Sequence, residues 1–487
     1  MPRDLHLPNV AALYTLTRNM LSTLDTSLIF AYLVLMIAIG IYASRKQDSV
    51  EDFFIAGGRL GTFSVACVWL ASWVGGATVV GGVAKAYEYG ISGSWYTICM
   101  AIGCLTFGLF FAVRVKRWGN ERQLLTYPDL MESVYDSRTR IVSTVTTIFA
   151  YVGFAAGQLA AAGAILSTLL GWDYSTSLLL ASAIIVVYTA TGGFLAVTYT
   201  DWVQFALLFL GIVIVGIPIA IASGGTWETL TTQLPAAHFE PTNWGIATML
   251  ALGVSLPLSF FVAMDNYTRM FAAKNEQVAK RGTLLATVFL LPIAVGTVWI
   301  GMTAALTHPG IENSNSVLST FVMASFPAGL KGLMLVGILA ALMSTADICI
   351  LTASANGSRD IYQRYINPDV SPKKMFRISM WLAAFVGLLA ALIAWQMQDV
   401  ISILLIAFTI NSAALFVPTI AIVIQNKVNN DAAFWSITLS LITVIGWFIG
   451  STLELASIFI IDPLWPGFLV SIVVFVGISY LASAKRS

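Results

Sequence analysis

Apolar residues run through this chain in long stretches separated by short polar segments, with neither the alternation of a half-buried strand nor the one-sided stripe of a surface helix. A helix needs about 20 mostly apolar residues to cross a hydrocarbon core of about 30 Å. Runs of that kind predict thirteen spans, near 26–44, 62–84, 92–113, 141–170, 175–190, 193–222, 243–268, 282–306, 333–358, 378–396, 400–424, 432–452 and 464–482. The pattern therefore predicts an all-α, polytopic membrane protein.

Composition narrows the class further. Of 487 residues, 58% are hydrophobic and 10% charged, whereas a soluble protein carries roughly a quarter of its residues as Asp, Glu, Lys and Arg. A soluble multi-domain enzyme and a disordered chain are excluded on that ground, and the lack of short alternating runs excludes an outer-membrane barrel. A net charge of +1 implies no nucleic-acid partner. Cys67, Cys99, Cys104 and Cys349 fall inside apolar runs and read as small core residues, while His6, His238 and His308 are scattered in terminal or loop sequence. No zinc or haem site, nucleophile–base pair or phosphate loop is visible, so the chain does not read as an enzyme. Its first 25 residues lack the basic start and short apolar stretch of a cleavable signal, so the first helix is expected to be retained.

Position gives the charges their meaning. With the N-terminus outside, the outer segments hold Arg3, Arg18, Lys85 and Lys331, and the other 21 of the 25 bases fall in inner segments. Cytoplasmic loops collect Lys and Arg. The expectation is a cell-membrane protein, plasma or inner, with its N-terminus outside and its C-terminus cytoplasmic.

This count leaves no base in the helix interiors, yet Asp201 and Asp347 sit in spans and Asp265 lies one turn before an inner end. At about 1.5 Å per residue, Asp201 and Asp347 are roughly 12 and 16 Å from the inner ends of their spans. A carboxylate at that depth must be paired, hydrated, protonated or holding a cation. In the run from Ala341 to Asp347, positions 341, 344 and 345 share a helix face, with 347 close by. Hydroxyls, a carboxylate and a carbonyl make an oxygen-only cluster that suits a hard cation such as sodium. Ser–Thr pairs in membrane helices also bond their own preceding turn or a neighbouring helix.

Two spans carry signs of interruption. Residues 71–78 read Ala-Ser-Trp-Val-Gly-Gly-Ala-Thr, followed by Gly81-Gly82, and residues 253–257 read Gly-Val-Ser-Leu-Pro. Glycine pairs favour local unwinding, which frees carbonyls for a ligand or cavity water. Two broken helices running in opposite directions through the membrane mark an inverted repeat with its site at the breaks.

From about residue 50 to 425 the chain resembles the sodium:solute symporter family. The similarity is carried by Glu51-Asp52-Phe53-Phe54-Ile55-Ala56-Gly57-Gly58, by Gly192-Gly193-Phe194-Leu195-Ala196-Val197-Thr198-Tyr199-Thr200-Asp201, and by Leu342-Met343-Ser344-Thr345-Ala346-Asp347 through Arg359-Asp360-Ile361-Tyr362. The resemblance implies a LeuT-like fold with two five-helix inverted repeats. Residues 1–61 would hold the N-terminal segment, first helix and inner loop, 62–425 the core (repeats 62–222 and 243–425), and 426–487 two C-terminal helices. By position it implies a sodium site made from the carbonyls of Ala71, Val74 and Ala341 and the hydroxyls of Ser344 and Thr345. A second cation site would use Asp201, Thr345 and Asp347, with Asp347 standing where a hydroxyl residue is frequent.

The segments around Ser72–Gly76 and Ser344–Asp347 are similar to the choline-transporter branch, and Trp73 at a helix break suits a cation–π contact. Phe154 and Met100 stand where larger or hydroxylated rings would complete a choline cage. Trp73, Gly75, Thr78, Phe154 and Gln158 are the candidates for lining the solute site, and Asp265 with Arg269 for an inner-end ion pair that gates release. The function expected is sodium-coupled symport of a small organic solute by alternating access, with sodium as coupling ion and only the solute and the bilayer as partners. The alternatives are a proton-coupled carrier using Asp201 or Asp347, and a sensor or channel on the same bundle. The solute is left open among amino acids, carboxylates, sugars, vitamins and quaternary amines.

Overall fold

The structure is a computed structural model that describes residues 21–44, 55–424 and 429–484. Residues 51–54 of the first family string, His6, and the bases Arg3, Arg18, Arg45, Lys46, Lys427, Lys485 and Arg486 lie outside the described residues. Among the described residues every regular element is helical, apart from an isolated bridge between Leu60 and Ala273.

The helix α1 (Thr23–Ser44) precedes the first interrupted span, α2 (Thr62–Trp73) and α3 (Gly82–Tyr89), which are joined through a wide π turn at Ala77–Gly81. Next come α4 (Trp95–Phe110), α5 (Ala112–Arg122), the short α6 (Tyr127–Val134), α7 (Ser137–Leu170) and α8 (Tyr174–Phe209). The second interrupted span is α9 (Ile246–Phe260) with α10 (Met264–Ala272), followed by α11 (Glu276–Thr307), α12 (Leu330–Ala355), α13 (Pro372–Gln396) and α14 (Val400–Ile424). A hairpin of α15 (Asn430–Thr452) and α16 (Leu464–Ala484) completes the chain. Polar residues between the apolar runs start these helices: Asp136 accepts from Thr139 N, Asp173 from Thr176 N and Asn275 from Val278 N, at 2.8–2.9 Å.

Every predicted run is helical, but the boundaries differ in two places. The runs 175–190 and 193–222, expected as separate spans, share one uninterrupted helix across Gly192-Gly193, because helical hydrogen bonding continues from Tyr174 to Phe209. Ten helices among the described residues are long and apolar enough to cross a membrane, accompanied by the shorter apolar helices Thr23–Met36, Thr62–Trp73 and Tyr174–Val187. Length and composition alone therefore do not confirm the expected count of thirteen spans. The second break is also displaced. Pro257 sits inside α9, and the helix ends at Phe260, leaving Phe261–Ala263 as the interruption.

The helix α12 is the most enclosed, with nearly every residue from Lys331 to Ala355 buried. A helix apolar all round belongs in the middle of a bundle, and α12 packs against α1, α2, α7, α8 and α13. The α15–α16 hairpin lies against α14 and leaves residues such as Leu469 exposed, as does α13 with Trp381, which is the character of a lipid-facing wall. At the end of the bundle where α6 meets α7, Arg140 pairs with Asp129 at 2.8 Å, with Glu132 at 2.5 Å, and with the buried Asp360. Burial raises the Glu132 pKa, but hydrogen bonds from Ser137, Arg140 and Arg364 outweigh it and bring the carboxyl down to about 2.

Candidate functional site

The first interruption begins at Val74, whose φ of −89° and ψ of 65° take the chain out of the helix. Backbone groups freed there need partners. The N–H of Gly76 donates to Gln158 Oε1 of α7 at 2.5 Å, and Thr78 Oγ1 donates to Trp73 O at 3.2 Å. The glycines matter here for proximity rather than for unusual torsions, since Gly76 is itself in the right-handed helical region. A Cβ on Gly75 would collide with Thr345 and Gln158, and one on Gly76 with Ala161 and Leu342.

Four of the five expected sodium ligands meet at this point. Ser344 Oγ donates to Ala71 O at 2.6 Å and to Ala341 O at 3.0 Å, while Thr345 Oγ1 donates to the same two carbonyls at 3.2 and 3.1 Å. The fifth, Val74, is the residue of the turn itself. All four side chains or backbones are buried, and the donor set is oxygen only, which fits a hard monovalent cation.

Beside this cluster lies a small cavity. Its wall contains the expected Trp73, Phe154 and Gln158, together with Thr345 and Asp265, and also Tyr96, Tyr151 and Phe408, which sequence reasoning missed. Tyr151 lies three residues before Phe154 and seven before Gln158, so the helical period carried a signal for it. Nothing comparable marks Tyr96 or Phe408 within their uniformly apolar runs. Trp73 is packed between Phe260, with ring centroids 3.9 Å apart, and Phe408, at 6.1 Å. Gly75 and Thr78 stand next to the cavity rather than in its wall: Gly75 faces Thr345 and Gln158, and Thr78 bonds Trp73 O and Met100 Sδ.

Asp265 is the polar centre of the cavity. Trp73 Nε1 donates to Asp265 Oδ2 at 3.1 Å and to Asn266 Oδ1 at 3.0 Å, and the Tyr151 hydroxyl donates to Asp265 Oδ1. Arg269 pairs with Asp265 at 2.5 Å, donates to Asn266 Oδ1 at 2.8 Å, and lies over the Trp69 ring at 4.9 Å. The expected ion pair therefore forms, with its carboxylate lining the cavity, and one part of the expectation is corrected: Arg269 is a fully buried base inside the apolar span Ile246–Ala272, where no base was expected. The amphipathic helix Met264–Ala272 begins beyond the break and runs past residue 268, where the span was expected to end.

Of the expected second-cation residues, Thr345 and Asp347 make hydrogen bonds elsewhere among the described residues. Thr345 belongs to the first cluster, and Thr189 Oγ1 donates to Asp347 Oδ1. Asp201 is fully buried, and neither of its carboxylate oxygens has a hydrogen-bond partner among the described residues.

With this geometry in view, known proteins give a consistent set of likenesses. The model described as the sodium:solute symporter family matches residues 53–440. The high-affinity proline transporter PutP of Bacillus subtilis (strain 168) is 24% identical over 380 residues, 75% of this chain and 80% of its own. The sodium/pantothenate symporter of Escherichia coli (strain K12) is 25% identical over 391 residues, 76% and 79% of the two chains. High-affinity choline transporter 1 of Caenorhabditis elegans is 26% identical over 434 residues, 83% and 74%. Among solved structures, the substrate-bound outward-open state of a Na+-coupled sialic acid symporter has a TM-score of 0.78 at 21% identity, covering 93% of this chain and 96% of that one. Mhp1, a nucleobase-cation-symport-1 family transporter in a closed conformation with bromovinylhydantoin bound, has a TM-score of 0.56 at 15% identity, covering 88% and 95%.

Proposed function

The chain belongs to the sodium:solute symporter family, and from that premise we propose that it couples sodium influx to the uptake of a small organic solute by alternating access. It is an integral membrane protein with the LeuT-like fold. The orientation favoured by its charges is N-terminus outside and C-terminus cytoplasmic, in the cell membrane. The proposed inverted repeats, 62–222 and 243–425, each contain one of the two interrupted helices.

The observation that carries the sodium assignment is the sharing of Ala71 O and Ala341 O by the hydroxyls of Ser344 and Thr345. When sodium is the cargo, those hydroxyls turn their hydrogens away and present lone pairs with the carbonyls, Val74 supplying a further carbonyl. The last turn of α2 is then tied to α12 through the ion. Thr345 also lines the solute cavity, and Gln158 spans from that cavity to the N–H of Gly76. Ion and solute thus order the same segment, 74–76, and each raises affinity for the other by the same factor. Each sodium moving inward down 100 mV supplies about 2.3 kcal/mol.

For the solute, the rings of Trp73, Tyr96, Tyr151, Phe154 and Phe408 favour, by cation–π contact, a compact molecule carrying a positively charged nitrogen, Asp265 itself being held by Arg269. Relatives named for proline and choline are compatible with that class. The Asp265–Arg269 pair, bonded to the Trp73 indole side, is the proposed inner closure: release requires Trp73 to leave Asp265 and Asn266. Asp201 anchors a proposed second cation, with Asp347 and Thr345 nearby on α12.

Proteoliposomes test the assignment. Uptake of an amine-bearing solute, chosen from a sodium-dependent thermal-shift screen, should vanish when sodium is replaced by potassium, while labelled solute still exchanges against unlabelled solute with sodium on both sides. A proton-coupled reading is favoured by one observation, the unpartnered carboxylate of Asp201. It wins if uptake persists without sodium and collapses when the pH gradient is removed. Sodium and solute binding without exchange would point to a sensor.

A further inference from the structure

We propose that the cation at Asp201 is completed by the side-chain oxygen of Gln204, and that Tyr32, on the first helix outside the repeats, is the positioning residue that aims this amide. The inference rests on the reading of Asp201 as a cation anchor and adds two residues to it.

Asp201 and Gln204 are three apart on α8 and so lie on one face, a turn from each other. Both are buried, at 0% and 1% exposure. Both oxygens of Asp201 and Oε1 of Gln204 have no hydrogen-bond partner among the described residues. Buried acceptors are almost always satisfied, and acceptors cannot satisfy one another. A proton on Asp201 could at most pair one carboxyl oxygen with the amide oxygen and would leave the other carboxyl oxygen without a donor. A small cation lying between the carboxylate and the amide oxygen satisfies all three at once.

The amide's orientation is fixed from the other side. Gln204 Nε2 donates to Tyr32 Oη at 3.2 Å, and Tyr32 Oη donates to Met343 Sδ at 3.7 Å. With its hydrogen turned to sulfur, the phenol offers a lone pair, which selects the NH2 end of the amide and turns Oε1 away from Tyr32. Met343 adjoins Ser344 on α12, so Tyr32 bridges the two helices that carry cation ligands, and α1 packs on both. The phenol is within electrostatic reach of both Asp201 and Asp347. A helix that belongs to neither repeat thereby acquires a part in ion selection.

The test uses the full chain in proteoliposomes, with sodium half-saturation, the charge moved per solute, and melting temperature measured for Gln204→Leu, Gln204→Glu, Tyr32→Phe and Asp201→Asn. Gln204→Leu should raise half-saturating sodium roughly tenfold and lower the charge per solute, as expected for a lost ligand to a charge. Gln204→Glu should retain the charge ratio and bind sodium more tightly. Tyr32→Phe should raise half-saturating sodium by about threefold, with the solute KM at saturating sodium unchanged, whereas a merely structural role would lower the melting temperature and leave the sodium curve in place. The proposal is overturned if Gln204→Leu and Tyr32→Phe keep wild-type sodium curves while Asp201→Asn shifts its own. If Asp201→Asn is also unshifted, the second-cation reading itself fails. Should Gln204→Leu not fold, Gln204→Glu and Tyr32→Phe, both close in shape to the native residues, decide the matter by the same criteria.

Discussion

At the first interruption, between Trp73 and Ala77, the exposed backbone is met largely by side chains from distant helices: Gln158 of α7 takes the N–H of Gly76, and Ser344 and Thr345 of α12 take Ala71 O. At the second, between Phe260 and Met264, the carbonyls are met from the next turn of the same stretch of chain, while the Asp265 N–H donates to Tyr151 Oη of α7 at 3.0 Å. Asn266 Nδ2 donates to Phe260 O at 2.8 Å and Tyr267 Oη to Phe261 O at 2.6 Å. Carbonyls closed by their own neighbours depend less on what the surrounding helices do. A break closed by other helices changes shape when those helices move or when an ion replaces their hydrogen bonds. On the proposed reading the first break is therefore the ligand-responsive one, and the second is the more self-contained bend that carries Asp265 to the cavity.

Substitutions that break this contrast are ranked by expected effect. Gly75→Ala places a methyl against Thr345 and Gln158, and overpacking of this sort costs about 1–3 kcal/mol. Because the clash falls on the ion cluster, sodium-driven uptake should be lost while the purified protein still gives a cooperative melt. Gln158→Leu leaves the Gly76 N–H without its partner, at about 1–3 kcal/mol. Solute affinity should fall by about 5- to 100-fold, and the sodium requirement should rise with it, as measured by uptake at varied sodium. Trp73→Phe keeps the ring stack but removes the donor to Asp265 and Asn266, for about 1 kcal/mol. A several-fold rise in solute KM with unchanged sodium half-saturation is expected. Smallest at the functional level, Tyr267→Phe should cost about 1 kcal/mol of stability, and Asn266→Ala more, because it also takes an acceptor from Arg269 and Trp73. Their melting temperatures should drop, yet sodium dependence should match the parent; a shift in either sodium curve would erase the distinction between the two breaks.

What was legible in the sequence follows the same line. Ser344 and Thr345 stand out as hydroxyls in an apolar run, and the glycines at 75–76 located the first break, although their role is to admit Thr345 and Gln158 closely rather than to supply unusual torsions. Gly253 and Pro257 suggested the second break too early, because α9 accommodates its proline and the chain bends at Phe261–Ala263, where neither glycine nor proline stands. Arg269 escaped notice as a membrane-buried base because it stands one residue past the expected end of its span and reads as a base of the inner loop until Asp265, Asn266 and Trp69 are seen around it. Tyr96 and Phe408 were illegible for a simpler reason. In a helix apolar on all sides, periodicity does not say which face looks onto a cavity.

The most direct measurement of the central claim is the sodium concentration for half-maximal uptake in Ser344→Ala and Thr345→Ala at saturating solute. Loss of an oxygen bonded to a charge costs about 1.5–3 kcal/mol, so each variant should need about 10- to 100-fold more sodium. Wild-type sodium dependence in both would contradict a sodium ion held between Ala71 and Ala341 at the first break.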